Sequence, residues 1–157
     1  MMKRISLLGT VIPLLTVAAA PAPAQQAVVL TSSVMVEKTV VANGKSSVVL
    51  KPADVVLPGD RLVFTTRVQN REATPAERIV VTNPVPAAVQ FSGDGSAGVG
   101  VSVDGGRTFG SLAGQTVADG KGGRRPAVAA DVTHLRWTIA SVPAGATGSV
   151  SYRGIVR

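Results

Sequence analysis

Apolar and polar residues alternate along most of this chain, and that alternation constrains its fold more than any other feature. In the segment 28–41, Leu30, Val34, Val36 and Val40 would lie on one side of an extended backbone. No stretch spaces its apolar residues at intervals of three and four over three turns, as an amphipathic helix does. The pattern therefore predicts a chain of half-buried β-strands.

Glycine, proline, asparagine and aspartate interrupt the alternating runs at short intervals, as turns between antiparallel strands require. The strongest turn signals are Asn43-Gly44, Pro58–Asp60, Asn83–Pro86, Asp104–Gly106 and Pro143–Gly148. They separate about eight or nine predicted strands, which include 27–41, 46–50, 61–69, 78–82, 88–91, 99–103, 134–139 and 150–156. Residues 93–98 and 114–130 are predicted to be loops.

A sheet with one apolar face must cover that face, and without helices only a second sheet can cover it. The predicted fold is therefore all-β, an antiparallel β-sandwich. Trp137, which alternates with polar residues in its strand, is predicted to belong to the core, and Tyr152 to the core or its rim. Gly154 in the last strand predicts a bulge or the close approach of another segment.

The first 24 residues are organised like a secretory signal peptide. Lys3 and Arg4 supply positive charge, Ile5–Ala20 is an uncharged run of 16 residues, and Ala22-Pro23-Ala24 has the small-residue pattern of a cleavage site. A membrane anchor is the alternative, but the run is shorter than the roughly 20 residues that span a bilayer. We expect cleavage next to Ala24 and one exported domain over 25–157.

The composition excludes several classes of function. The chain has no cysteine, so it contains neither a disulfide nor a cysteine-bound zinc ion. Removing Lys3 and Arg4 lowers the formal charge from +7 to +5, which leaves a weak attraction to anionic envelope polymers. Five aromatic residues are too few to stack nucleic-acid bases along a surface. We expect no cofactor and no nucleic-acid partner.

Lys121, Arg124 and Arg125 form a local cluster of positive charge in a glycine-rich segment. Glycine exposes backbone N–H groups, so these residues are candidates for a weak contact with an anion. The spacing of a phosphate-binding P-loop is missing, and neither serine nor threonine follows Lys121. A solvated surface loop is the alternative that we favour.

Other residue patterns favour ordinary structural roles. Gly93–Gly98 matches Gly-x-Gly-x-x-Gly, but a predicted strand follows it where a dinucleotide site needs a helix. His134, three residues after Asp131, is predicted to be a surface histidine and not a general base. Three aspartates could bind calcium only if the fold gathered their separate loops. These are Asp94, Asp104 and Asp119. We assign no catalytic or metal-binding residue.

Several segments resemble one known family. They are Val56–Asp60, Leu62–Asn70, Ala76–Pro86, Val89–Phe91, Val103–Phe109, Thr133–Trp137 and Pro143–Tyr152. They are similar to the conserved repeat domain of bacterial and archaeal surface proteins (domain-of-unknown-function family eleven), in the single-domain secreted form of Gram-negative bacteria. The resemblance implies an immunoglobulin-like sandwich in an exported protein, with a family core at about 55–157 and an N-terminal hairpin segment at 27–51. It transfers no catalytic or binding residue.

The chain departs from that family at two points. Asn83 stands where the family often has aspartate before Pro-x-Pro. Both side chains cap turns, so the implied fold is unaffected, whereas a cation held by that aspartate would lose a charged ligand. The family usually occurs as tandem repeats and this chain has one copy. The resemblance is therefore a poor basis for expecting a stalk or spacer role here.

Together these observations predict a non-enzymatic, exported structural or interaction domain of the cell envelope, periplasm or extracellular space. One alternative is a self-assembling surface or filament subunit, in which 27–41 adds as a strand to a neighbouring copy. Pairing of that segment within its own sandwich is the version we favour. A second alternative is a small periplasmic ligand-binding protein. A hydrolase is least favoured, because the chain has one histidine and nine scattered carboxylates.

Overall fold

The computed structural model describes residues 27–157, so the predicted signal peptide and its cleavage site lie outside the described residues. Ten strands and two short 3-10 turns make up this part of the chain. The strands are β1 (Val28–Ala42), β2 (Lys45–Pro52), β3 (Arg61–Asn70), β4 (Ala76–Pro84), β5 (Val89–Gly95), β6 (Gly100–Ser102), β7 (Thr116–Ala118), β8 (Arg124–Pro126), β9 (His134–Val142) and β10 (Thr147–Val156). The 3-10 turns are Leu112–Gly114 and Ala129–Asp131.

The strands form two main antiparallel sheets. The large sheet has five strands in the order β2-β1-β3-β10-β5, and the small sheet has three in the order β4-β9-β6. A separate hairpin consists of β7 and β8. The predicted all-β antiparallel sandwich is confirmed, because alternating residues bring an apolar face of each sheet against the other.

The core lies between the two sheets and is built mostly from valine. Aromatic residues occupy its centre. The Tyr152 ring of the large sheet stacks on Phe64 at a centroid distance of 4.5 Å and lies 6.4 Å from Trp137 of the small sheet. Both Tyr152 and Trp137 are buried. The predicted core position of Trp137 is confirmed, and Tyr152, predicted for the core or its rim, lies in the core.

The first described segment pairs within its own chain. β1 runs antiparallel to β3 from Val28 to Glu37, and its second half pairs with β2. Asn43 and Gly44 join β1 to β2 with φ of +52° and +72°, the left-handed conformation that a two-residue hairpin turn requires. The predicted hairpin is therefore confirmed, and 27–41 occupies an interior position in the large sheet.

One segment predicted to be a loop begins as strand. β5 continues to Gly95, with three of its residues, 92–94, opposite the single residue Arg153 of β10. Gly93 has a φ of +88°, which suits the irregular backbone of this bulge. Asp94 reaches Arg153 at 2.6 Å. The prediction of a loop over 93–98 was thus wrong for residues 93–95. A glycine-rich bulge within a strand has the same composition as a loop, so the sequence pattern does not distinguish them.

The segment 114–130 was also predicted to be one long loop, and this was wrong in part. It contains β7, β8 and most of one 3-10 turn. The Asp119 carboxylate accepts hydrogen bonds from the backbone N–H groups of Lys121 at 2.8 Å and Gly123 at 2.9 Å. Those two bonds close the turn between β7 and β8, so a glycine-rich sequence folds as a small hairpin.

Burial of Tyr152 makes the stability of the protein depend on alkaline pH. Burial raises the pKa of Tyr152 to about 12. Between pH 10 and 12 the unfolded chain loses the phenol proton while the folded protein keeps it, so stability falls as pH rises. Below pH 10 both states hold the proton, so Tyr152 makes its full contribution to the free energy of unfolding. We expect a loss of about 2–3 kcal/mol in the free energy of unfolding across that range.

The chain has one tyrosine, so tyrosinate absorbance reports this group alone. Titration should give a midpoint near pH 12 in the folded protein and near pH 10 in urea. Tyr152→Phe serves as the control, because it keeps the ring and removes the ionisable group. A native midpoint near pH 10 would contradict the prediction.

Candidate functional site

The large sheet is two strands wider than the small sheet, and the small sheet does not cover that extra width. β4 lies over β3 and β10, because Asn83 donates to the Thr66 hydroxyl at 2.8 Å and the Tyr152 hydroxyl donates to the Pro84 carbonyl at 3.3 Å. β1 and β2 lie beyond β3 in the large sheet. Their inner faces therefore extend past the edge of β4.

A groove of about 240 Å³ lies where β1 passes the end of β4. Val34 lies in this groove and is 38% exposed, and Leu30 on the same face of β1 is 51% exposed. We name this surface the open flank. It comprises Leu30, Ser32, Val34, Phe64, Thr66 and Asn83–Pro86.

Uncharged polar groups link the two walls of the open flank. Thr66 is buried and its hydroxyl lies 3.2 Å from the Ser32 hydroxyl, in addition to its hydrogen bond with Asn83. Asn83 can donate to Thr66 because its side chain is an amide, whereas an ionised aspartate could only accept. The groove thus has an apolar floor and a neutral polar wall, which suits a peptide better than a metal ion.

The open flank runs beside a strand edge that has free hydrogen-bonding groups. β4 pairs with β9 on one side, and within residues 27–157 no strand pairs with its other side. Arg78 has a φ of +52°, so the regular part of this edge is 79–84. An extended segment placed here would continue the small sheet and cover Leu30 and Val34.

Sequence reasoning missed the open flank. The alternating pattern groups Leu30 and Val34 with Val36, and all three do face inward. Val36 is buried against Leu62 and Val89, whereas Leu30 and Val34 have no such cover. The prediction that they form a buried face was wrong, because alternation identifies the face of a strand and not the width of the opposite sheet.

The three cations proposed for an anion contact do not converge. Arg125 makes two hydrogen bonds of 2.7 Å to Asp131, which lower the pKa of Asp131 to about 2 and raise the pKa of Arg125. Arg124 donates to the hydroxyl and the carbonyl of Thr116, each at 2.7 Å. Lys121 lies in the exposed turn between β7 and β8. An anion contact stays a prediction, and the geometry gives it no common centre.

A cavity of about 470 Å³ lies among the loops beside β6. Its carboxylate, Asp104, accepts hydrogen bonds from the Ser102 hydroxyl at 2.6 Å, the Thr108 hydroxyl at 2.7 Å and the backbone N–H of Arg107 at 3.0 Å. These bonds hold the pKa of Asp104 well below its usual range, and the bond from Ser102 has the largest effect. The charge stabilises the wide turn after β6 and has few positions left for a ligand.

Further contacts within the chain hold the loops around this cavity. The Gln115 amide donates to the Val101 carbonyl, and the Arg136 guanidinium lies 3.7 Å above the centre of the Phe109 ring, which lines the cavity. Val101 also pairs with Gly110, so the predicted Asp104–Gly106 hairpin is a wide turn closed by a single bridge. These contacts organise the loops around the cavity.

The remaining candidate residues have structural partners. His134 Nδ1 lies 3.1 Å from the Thr133 hydroxyl, while Asp131 is engaged by Arg125. Each of the three aspartates considered for calcium contacts its own neighbourhood, and the fold does not gather them. In the described range, no three His, Asp or Glu side chains form a group that could hold a metal ion.

Comparisons with family models, with curated proteins and with solved structures find no match. The resemblance to the surface-protein repeat domain therefore stays a prediction. Over residues 27–157, no helix is long and apolar enough to cross a membrane. The open flank is the feature that remains as a candidate functional site.

Proposed function

We propose that this protein is a non-enzymatic structural or interaction domain, exported to the periplasm, the cell envelope or the extracellular space, and that it binds a partner protein at the open flank. One observation carries the proposal: an uncovered apolar strip of β1 lies beside the free edge of β4. The signal-peptide pattern of residues 1–24 supports export, and the family resemblance supports a surface or secreted role.

Strand addition is the binding mode that this geometry favours. Backbone groups along 79–84 would pair with an extended segment, and alternate side chains of that segment would pack on Leu30 and Val34. Covering each of these two side chains would contribute roughly 1 kcal/mol, because each is already part-covered. Main-chain bonds would add affinity with little dependence on sequence.

The non-enzymatic part of the proposal rests on the polar side chains. His134, Asp104 and Asp131 are the groups best suited to acid–base chemistry, and each is bonded to a structural neighbour. The cavity beside β6 has the volume of a small-molecule site and keeps ligand binding as the second candidate. A ligand there should raise the melting temperature, and Arg124→Ala should abolish that rise.

Export is tested by the mass of the purified native protein. Cleavage after Ala24 should give a mature chain that begins at Gln25, recovered from the periplasm or the medium. Ala22→Leu with Ala24→Leu should block processing, because bulky side chains do not fit a small-residue cleavage site. A full-length protein in the cytoplasm would contradict the export part of the proposal.

Partner binding is tested with a photo-crosslinking amino acid at Ser32, within the open flank. Irradiation of the producing bacterium should join this position to one protein, and mass spectrometry should place the joined peptide in an extended segment. The same group at Val128, which is 52% exposed in a loop, is the matched control. An identical set of products from both positions, or none from Ser32, would contradict the proposed site.

A further inference from the structure

The distal part of the β1–β2 hairpin projects beyond the rest of the large sheet. β3 pairs with β1 only as far as Glu37, while β1 and β2 pair with each other out to Ala42 and Lys45. We name the projecting residues 38–49 the hairpin arm. Two strands alone are marginally stable in water, so an arm of this kind gains from a further contact.

The outer face of the hairpin carries a second exposed apolar strip. Val48 is 64% exposed and Leu50, at the base of the arm, is 52% exposed. Val48 lies opposite Thr39 and Leu50 opposite Glu37, so both share a face with the odd-numbered residues of β1. Leu30 and Val34 lie on the other face. The two strips are therefore on opposite sides of one sheet and cannot meet within one molecule.

We infer that the hairpin arm of one molecule docks in the open flank of a second copy of this chain, with β2 placed along the free edge of β4. This inference rests on the proposed function and names its partner. Strand number supports it: the small sheet has three strands and the large sheet five, and the arm supplies two. Val48 and Leu50 of one copy then cover Leu30 and Val34 of the next.

The contact uses different surfaces on its two sides, so it leaves one arm and one flank free at the ends. Such a heterologous contact extends into a linear assembly unless its rotation closes a ring. In this assembly β1 stays in its own sheet. In the strand addition considered from the sequence, 27–41 would instead pair with a neighbouring copy. An arm with five residues per strand covers roughly 17 Å by 10 Å, or about 170 Å², which is small against the roughly 800 Å² per partner of a standard interface. We therefore expect weak, concentration-dependent assembly.

The test is light scattering and sedimentation of the mature protein from roughly 10 μM to 1 mM, the range of weak contacts. The average mass should rise with concentration. The arm variant, Val48→Lys with Leu50→Lys, and the flank variant, Leu30→Lys with Val34→Lys, should each stay monomeric. Val128→Lys, matched in exposure on a distant loop, should assemble like the parent. Leu30→Lys alone is the milder flank variant if the double variant unfolds.

Mixing the two variants gives the decisive result. The arm variant keeps an intact flank and the flank variant keeps an intact arm, so together they should form a one-to-one dimer that grows no further. Self-association of either variant alone overturns the inference, and so does a parent protein that is monomeric at 1 mM. A monomeric parent that still crosslinks from Ser32 to another envelope protein would overturn this inference and leave the proposed function standing.

Discussion

Gly154→Val is expected to lower the free energy of unfolding by about 3 kcal/mol or more, enough to unfold a domain of ordinary stability. Gly154 lies on the inner face of β10, next to the irregular pairing with β5. A Cβ atom there would overlap Cγ1 of Val89 and lie 3.2 Å from the Gln90 carbonyl oxygen. Val89 is buried and β-branched, so its methyl group has little freedom to move away.

The same substitution would also disturb the aromatic centre of the core. The added Cβ would lie 3.6 Å from Cε2 of Phe64, whose ring stacks on Tyr152. Larger side chains at 154 should therefore shift the near-ultraviolet circular dichroism of these aromatic residues in any protein that remains folded.

Gly148→Ala is the matched control, because Gly148 lies on the same face of the same strand. Its added Cβ would meet Val142 Cγ2 at 3.6 Å, an ordinary van der Waals distance. Its stability should stay within about 0.5 kcal/mol of the parent in urea unfolding. Equal midpoints for Gly154→Val and Gly148→Ala would show that the approach of Val89 to β10 is looser than the structure indicates.

Local features of the sequence predicted most of the strands. Alternation and turn residues act over a few neighbours, so they located the hairpin at Asn43-Gly44 and the core position of Trp137. The close approach at Gly154 could also be anticipated, because glycine inside a strand rarely has another purpose. These inferences held because the physical cause lies within a few residues of the signal.

The open flank could not be predicted in that way. Whether Val34 is covered depends on how many strands the opposite sheet contains, and no residue near Val34 encodes that number. The separation of the basic residues has a related cause. Arg124 and Arg125 are adjacent in sequence, but successive residues of a strand point to opposite faces, and each guanidinium found a different partner. Recognising β8 as a strand would have been enough to separate them.

Asn70 shows a polar role that the sequence did not reveal. The predicted strand 61–69 ends just before Asn70, yet the Asn70 side chain is fully buried at the end of β3. Its amide nitrogen donates to the carbonyls of Thr74 at 2.8 Å and Val142 at 3.0 Å, and its oxygen accepts from the Glu72 N–H at 3.0 Å. One side chain thus joins the loop after β3 to the end of β9, across 72 residues of sequence.

Asn70→Ala is expected to cost about 2–4 kcal/mol, because it leaves buried carbonyl and N–H groups without partners. Asn70→Asp keeps the shape but replaces the donor with an acceptor that faces the same carbonyls. Burial and those carbonyls disfavour the ionised form, so the pKa of the new carboxyl should lie above its usual range. The folded state then holds its proton to higher pH than the unfolded state, and stability falls as pH rises through that interval.

Urea unfolding of both variants at pH 4 and pH 7 separates these effects. At pH 7 Asn70→Asp should be at least as unstable as Asn70→Ala, since one oxygen of its buried carboxylate would face the carbonyls to which the amide nitrogen donates. At pH 4 the protonated carboxyl can donate one bond, so Asn70→Asp should regain about 1 kcal/mol or more relative to Asn70→Ala. Measuring the difference between two variants removes the acid sensitivity of carboxylates such as Asp131, which both share. If Asn70→Asp matched the parent at pH 7, the side-chain donor of Asn70 would not be what holds the end of β9 in place.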